Sequence, residues 1–89
     1  MIGADRPVAL TLYSRAGCHL CDDMRTTIDR VSRSIPLTID LVDISGDPEL
    51  EARYGTEIPV LLVEGTKAAK YRITESELAR VLHARMGGS

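Results

Sequence analysis

The sequence predicts an α/β fold: a four-stranded mixed sheet with helices on both faces, in the element order βαβ-α-ββα. Three observations carry that expectation. Short apolar runs at Val8–Tyr13 and Val60–Val63 have the length and composition of covered strands. Leu20, Met24, Ile28 and Val31 recur at steps of four, four and three, which lines them along one helix face. Thr74 and Glu77 form a capping box in front of a final apolar stripe.

The first strand, Val8–Tyr13, is expected to be covered on both faces and to be broken by Ser14-Arg15-Ala16-Gly17. The helix that follows must end before Pro36, because the residue preceding a proline is driven out of the helical region. Residues Leu37–Val42 alternate, with Leu37, Ile39 and Leu41 predicted to point inward against Thr38 and Asp40. A strand, helix, strand unit of this length makes a right-handed crossover and leaves its strands parallel. Asp47-Pro48-Glu49 has the order of N-cap, first-turn proline and first-turn acid, so a short helix should reach Tyr54 and stop at Gly55. Pro59 opens the central strand Val60–Val63, and Glu64-Gly65-Thr66 turns the chain into an antiparallel partner over roughly Lys67–Arg72. In the last helix Ile73 and Leu78 form a hydrophobic staple, and Leu78, Val81, Leu82 and Met86 make the apolar face. The 89 residues are expected to form one domain with flexible ends at 1–6 and 87–89.

Composition excludes several classes of function. Apolar residues make up 44% and charged residues 27%, values typical of a folded globular chain. Eleven basic against thirteen acidic residues, with no basic run, argue against nucleic acid as a partner. The aromatics are three tyrosines, too few for a base-stacking platform. No stretch approaches the roughly 18 apolar residues that cross a bilayer, and the start of the sequence lacks the apolar segment of a secretory signal. The expectation is a cytoplasmic monomer with neither a membrane nor a nucleic-acid partner.

The two cysteines are the informative feature. Cys18-His19-Leu20-Cys21 lies where the first strand gives way to the first helix, and residues three apart on a helical turn share a face, so the sulfurs can close a disulfide. Exchange chemistry needs a thiolate, whereas a free cysteine has a pKa of about 8.5. A helix N-terminus contributes up to about 2 kcal/mol toward the anion, which is somewhat more than one pKa unit at about 1.4 kcal/mol per unit. Backbone N–H groups, the Cys21 thiol, Arg15 and a protonated His19 act in the same direction, and Asp22 and Asp23 oppose them. The net expectation is a depressed Cys18 pKa. Cys18, ahead of the helix body, should be exposed and should attack a substrate disulfide; Cys21, one turn inside, should be partly covered and resolve the mixed disulfide.

Other readings of these residues stay open. The pair could be structural, or half of a metal site, but structural zinc takes four protein ligands and the chain adds only His19 and His83 to the cysteines, so no metal is expected. His19 either tunes the Cys18 thiolate or projects into solvent. Tyr13 either flanks a substrate groove or fills the sheet. Arg15 is either an anion contact or an exposed loop cation. A rival from another class is a binding or metal-delivery module with a non-catalytic cysteine pair.

Tyr13-Ser14-Arg15-Ala16-Gly17-Cys18-His19-Leu20-Cys21, together with Ile58-Pro59-Val60 and a terminal ββα, resembles a glutaredoxin-like protein of the thioredoxin superfamily over Val8 to about Met86. The resemblance implies a three-layer thioredoxin-like fold and thiol–disulfide oxidoreductase activity at Cys18 and Cys21. It implies that the Ile58–Pro59 bond is cis and faces the cysteines, with the Ile58 backbone aligning substrate. Arg15 matches the basic residue that helps hold a glutathione carboxylate, and Tyr13 the residue flanking the groove. No bound cofactor is implied; a low-molecular-weight thiol, glutathione or another, or a protein reductase would supply electrons to reduce a protein or low-molecular-weight disulfide. The chain departs from the common pattern with His19-Leu20 between the cysteines, Ala16 before the glycine and Glu57 ahead of Ile58. Tyr71-Arg72-Ile73-Thr74-Glu75 replaces the Gly-Gly and acidic pair that grip the glutathione amino end, which predicts poor selectivity for glutathione. The cysteine site and the segment Tyr54-Gly55-Thr56-Glu57-Ile58-Pro59-Val60 are similar to those of short bacterial glutaredoxin-like proteins.

Overall fold

A computed structural model describes residues 7–86, apart from the Met86 side chain. The ends at 1–6 and 87–89, and the place of Met86 on the last helix, lie outside the described residues. The elements are β1 (Val8–Ser14), α1 (His19–Ser32), β2 (Leu37–Asp43), α2 (Pro48–Tyr54), β3 (Val60–Val63), β4 (Thr66–Lys70) and α3 (Glu75–Met86). They build one sheet in the order β2-β1-β3-β4. β1 is parallel to β2 and antiparallel to β3, and β3 pairs antiparallel with β4. The mixed sheet and the expected element order are both present.

Local chemistry starts the helices as the sequence implies. Asp47 accepts from the N–H groups of Glu49 and Leu50 at 3.1 Å each, ahead of Pro48 in the first turn of α2. Thr74 and Glu77 bond reciprocally, at 2.9 Å and 3.1 Å, at the start of α3. Leu10, Leu12, Leu61 and Val63 from the sheet meet Met24 and Ile28 of α1 and Leu78 and Leu82 of α3 in the main core. Successive strand residues face opposite ways, so Tyr13 lies on the other face, where its ring stacks on Tyr54 of α2 at 4.3 Å. The result is three layers: α1 and α3, the sheet, and the short α2.

Four expectations need correction. β1 is not covered on both faces: Val8, Leu10 and Leu12 are buried, but Ala9 is exposed and Thr11 half-buried, because α2 is too short to roof that side. Leu20 is only half-buried, and Cys21 takes the buried place on α1 instead. In β2, Ile39 and Leu41 are 37% and 42% exposed. They share a face with Leu10 and Leu12 through the strand register, yet β2 is the sheet edge and lies beyond the cover of α1. β4 ends at Lys70 rather than near Arg72, since Tyr71 turns the chain at φ 68°. Gly55 also serves differently from a left-handed helix stop. Its φ is −55°, and what requires glycine is space: a Cβ there would come within 2.5 Å of the Glu51 carbonyl oxygen.

The edge position of β2 can be checked by truncation. Leu12→Ala should cost about 2–5 kcal/mol, as for a buried leucine, whereas Leu41→Ala should cost less than about 1 kcal/mol. Denaturant midpoints of the two variants measure the contrast, and equal losses would mean that β2 is covered.

Candidate active site

β1 delivers the chain to one end of the sheet, and a tight turn reverses it into α1. The Cys18 N–H donates to the Arg15 carbonyl at 3.3 Å, and Gly17 within that turn has φ 81°. This is the demand of a turn with a left-handed third residue, which glycine meets without a steric penalty. Cys18 then stands at the N-cap of α1 with extended φ −88° and ψ 114°, and its Sγ accepts the Cys21 N–H at 3.2 Å. The cap position normally belongs to Ser, Thr, Asp or Asn; here a sulfur fills it.

The two cysteines are free thiols in unlike surroundings. Cys18 is half-buried rather than exposed, because its sulfur is turned back onto the helix end to make the cap. Cys21 is 5% exposed and belongs to the buried set. Burial, followed by the bond to Cys18, pushes the Cys21 thiol up from 9.0 to about 11, against the opposing backbone of Arg15. A cleft of about 200 Å³ beside Cys21 is lined by Ser14, Arg15, Gly17, Arg25, Leu41 and Asp43.

The Ile58–Pro59 bond is cis. Tyr13 pairs with Val60, so Pro59 lies at the end of the sheet where β1 runs into the Cys18 turn. The segment is tied down from β4. The Tyr71 hydroxyl donates to the Thr56 carbonyl at 3.0 Å, and the Tyr71 N–H donates to the Pro59 carbonyl at 2.9 Å. Glu57 accepts from Lys67 at 2.7 Å and faces Lys70 at 3.8 Å, and both lysines hold its carboxyl below the usual range. Tyr71 and Glu57 thus bracket Ile58 and Pro59. Sequence reasoning missed Tyr71 because nothing local marks a tyrosine that binds a carbonyl fifteen residues away.

The remaining candidates are placed less uniformly. Arg15 is neither free nor aimed at open solvent: its guanidinium bonds the Glu51 carboxylate on α2. Tyr13 lies on the α2 face, opposite the layer that holds α1, and stacks on Tyr54. His19 is exposed at the first position of α1, and its side chain makes none of the hydrogen bonds or ion pairs found among the described residues. The structure therefore brings together Cys18, Cys21 and Arg15 around one turn, and Ile58 and Pro59 at the same sheet end.

Residues 9–83 match the family described as the glutaredoxin-like domain, DUF836. The chain belongs to this glutaredoxin-like family. Among relatives, the uncharacterized protein Rv0508 of Mycobacterium tuberculosis is 26% identical over 72 residues, covering 75% of this chain and 74% of that protein. The glutaredoxin-like domain is also similar to the solution structure of protein Ne2328 from Nitrosomonas europaea, with TM-score 0.76 and 25% identity over 86% of this chain and 93% of the other. The crystal structure of XcR50 from X. campestris matches with TM-score 0.74 and 32% identity, over 84% of this chain and 96% of that one. A thioredoxin from Halobacterium salinarum shares the fold at TM-score 0.62 and 16% identity, over 91% of this chain and 76% of its own.

The unlike thiols give a reactivity prediction. With limiting iodoacetamide at neutral pH, Cys18 should be alkylated first and Cys21 only on unfolding; peptide mass spectrometry showing Cys21 labelled first would reverse the assignment. In Cys18→Ala the Cys21 thiolate, followed at 240 nm, should titrate below 11 but still above 9.0, since burial persists when the Cys18 bond is lost. The sign for stability follows. A thiol raised from 9.0 to about 11 keeps its proton in the fold after the unfolded chain has lost it, so stability should fall as pH rises from about 9 to 11.

Proposed function

We propose that this domain is a thiol–disulfide oxidoreductase in which Cys18 attacks and Cys21 resolves. The observation that carries the reading is the cap itself. Cys18 Sγ, accepting an N–H at the positive end of α1, sits where a developing or resident thiolate is stabilised by the helix dipole and the hydrogen bond together.

The chemistry closes without a bound cofactor. The Cys18 thiolate attacks one sulfur of a substrate disulfide; a Cys18–substrate bond forms, the substrate S–S bond breaks, and the departing thiolate takes a proton. Mixed-disulfide formation removes the charge on Cys18, and with it one of the effects that raise Cys21. Cys21 then gives up its proton to solvent and attacks Cys18 Sγ, expelling the second substrate thiolate, which takes a proton in turn. Two electrons pass to the substrate, which ends as two thiols, and the protein ends as the Cys18–Cys21 disulfide. Two equivalents of a low-molecular-weight thiol, or one protein dithiol, restore it. Ile58 and Pro59, braced by Tyr71, offer backbone to an extended substrate segment.

Cys18→Ser should abolish reduction of a peptide disulfide, while Cys21→Ser should accumulate a mixed disulfide on Cys18 visible by intact mass. A wild type that does not reduce the peptide disulfide, with no mixed disulfide trapped in Cys21→Ser, would favour a binding or metal-delivery module whose cysteines are silent. Tyr71→Phe removes one bond from the brace, worth about 0.5–1.5 kcal/mol; KM for a peptide disulfide should rise by less than about tenfold with kcat little changed. A kcat loss without a KM change would place Tyr71 outside substrate alignment.

A further inference from the structure

The turn that carries Cys18 contains one cation, Arg15, and that cation is already engaged. Its guanidinium bonds Glu51 from α2, with the two side chains 38% and 37% exposed. The pairing is built into α2. Gly55 has ordinary helical φ, yet a Cβ on it would lie 2.9 Å from Glu51 Oε1 as well as against the Glu51 carbonyl, so the absent side chain leaves the space in which this carboxylate sits. The cleft beside Cys21 carries both signs, Asp22 and Asp43 set against Arg25 and the engaged Arg15. Asp22, in the first turn of α1, and Asp23 after it are both exposed. Asp43 is kept ionised by its bonds from Ser45 and, more weakly, by Arg15. On the opposite strand Lys67 and Lys70 are both directed to Glu57. An incoming carboxylate would therefore have to displace Glu51 while passing fixed acids.

We propose that Glu51 is a specificity-determining residue: by occupying Arg15 it withholds the loop cation from anionic disulfides, leaving the Cys18 site selective for disulfides with neutral or cationic flanks. The inference rests on the exchange reading given above and names its substrate class.

The test uses single turnovers of the pre-reduced protein, in which Cys18 and Cys21 become a disulfide and the added disulfide becomes two thiols. Three compounds of similar size are compared: 3,3′-dithiodipropionate, bis(2-hydroxyethyl) disulfide and cystamine, carrying negative, no and positive charge. Each rate is normalised to the same reaction of dithiothreitol, which removes intrinsic differences among the compounds. For the wild type the normalised rate should be lowest with dithiodipropionate. Glu51→Gln and Glu51→Ala should each raise the ratio of the dithiodipropionate rate to the hydroxyethyl rate about fivefold, the upper range for a half-exposed ion pair. The gain should vanish in Arg15→Gln/Glu51→Gln, because it is the freed guanidinium that receives the carboxylate. Glu49→Gln, which removes a charge from the same helix without touching Arg15, should leave the ratio unchanged. A ratio unmoved by Glu51→Gln, or raised equally when Arg15 is also replaced, overturns the inference while leaving exchange chemistry intact. Failure of the wild type to react faster than dithiothreitol with any of the three overturns the exchange reading, and this inference with it.

Discussion

A sulfur in the N-cap of α1 is the constraint around which the site is built. Helix starts leave backbone N–H groups without partners, and a cap side chain normally supplies an oxygen. Cys18 Sγ accepts the Cys21 N–H instead, so the atom that completes the helix is also the candidate nucleophile. The same geometry fixes the second thiol. Because the bond runs to the residue three positions on, Cys21 must lie one turn inside the helix, where it is buried. Burial and the neighbouring sulfur then hold its proton to about 11, and the asymmetry between the thiols follows from the cap.

Delivering Cys18 to that position depends on β1. Among the described residues it is the one strand with a parallel neighbour on one side and an antiparallel neighbour on the other, and its buried leucines anchor it against α1 and α3. The antiparallel register with β3 puts Pro59 at the end of the sheet that the Cys18 turn also occupies. The segment before Pro59 has no regular structure of its own, and β4 supplies what holds it, through Tyr71 and the two lysines that meet Glu57. The Tyr71 backbone at φ 68° is unusual for a residue with a side chain, and it occurs where one tyrosine reaches two carbonyls on either side of the cis peptide.

Charge is distributed with similar economy. Arg15 stands in the turn that carries Cys18, but α2 answers it with Glu51, and β4 answers Glu57 with Lys67 and Lys70. Family membership alone does not convey this, because the identity of a loop cation says nothing about whether another element neutralises it.

Much of the fold could be read along the chain because the deciding interactions are short. The Asp47 cap, the Thr74–Glu77 box, the helical spacing of Met24, Ile28 and Val31, and two cysteines three apart are contained within a turn or two of backbone, so residue type and spacing determine them. The site's outer half was closed to that reasoning. Arg15 and Glu51 are separated by 36 residues, and Tyr71 and Thr56 by 15, so their meeting depends on where α2 and β4 are placed. The alternation of Leu37, Ile39 and Leu41 reported the correct face of β2 but not its cover. Alternation records which way side chains point, whereas burial requires another layer above them, and only the strand order, with β2 at the edge, decided that Ile39 and Leu41 would meet water.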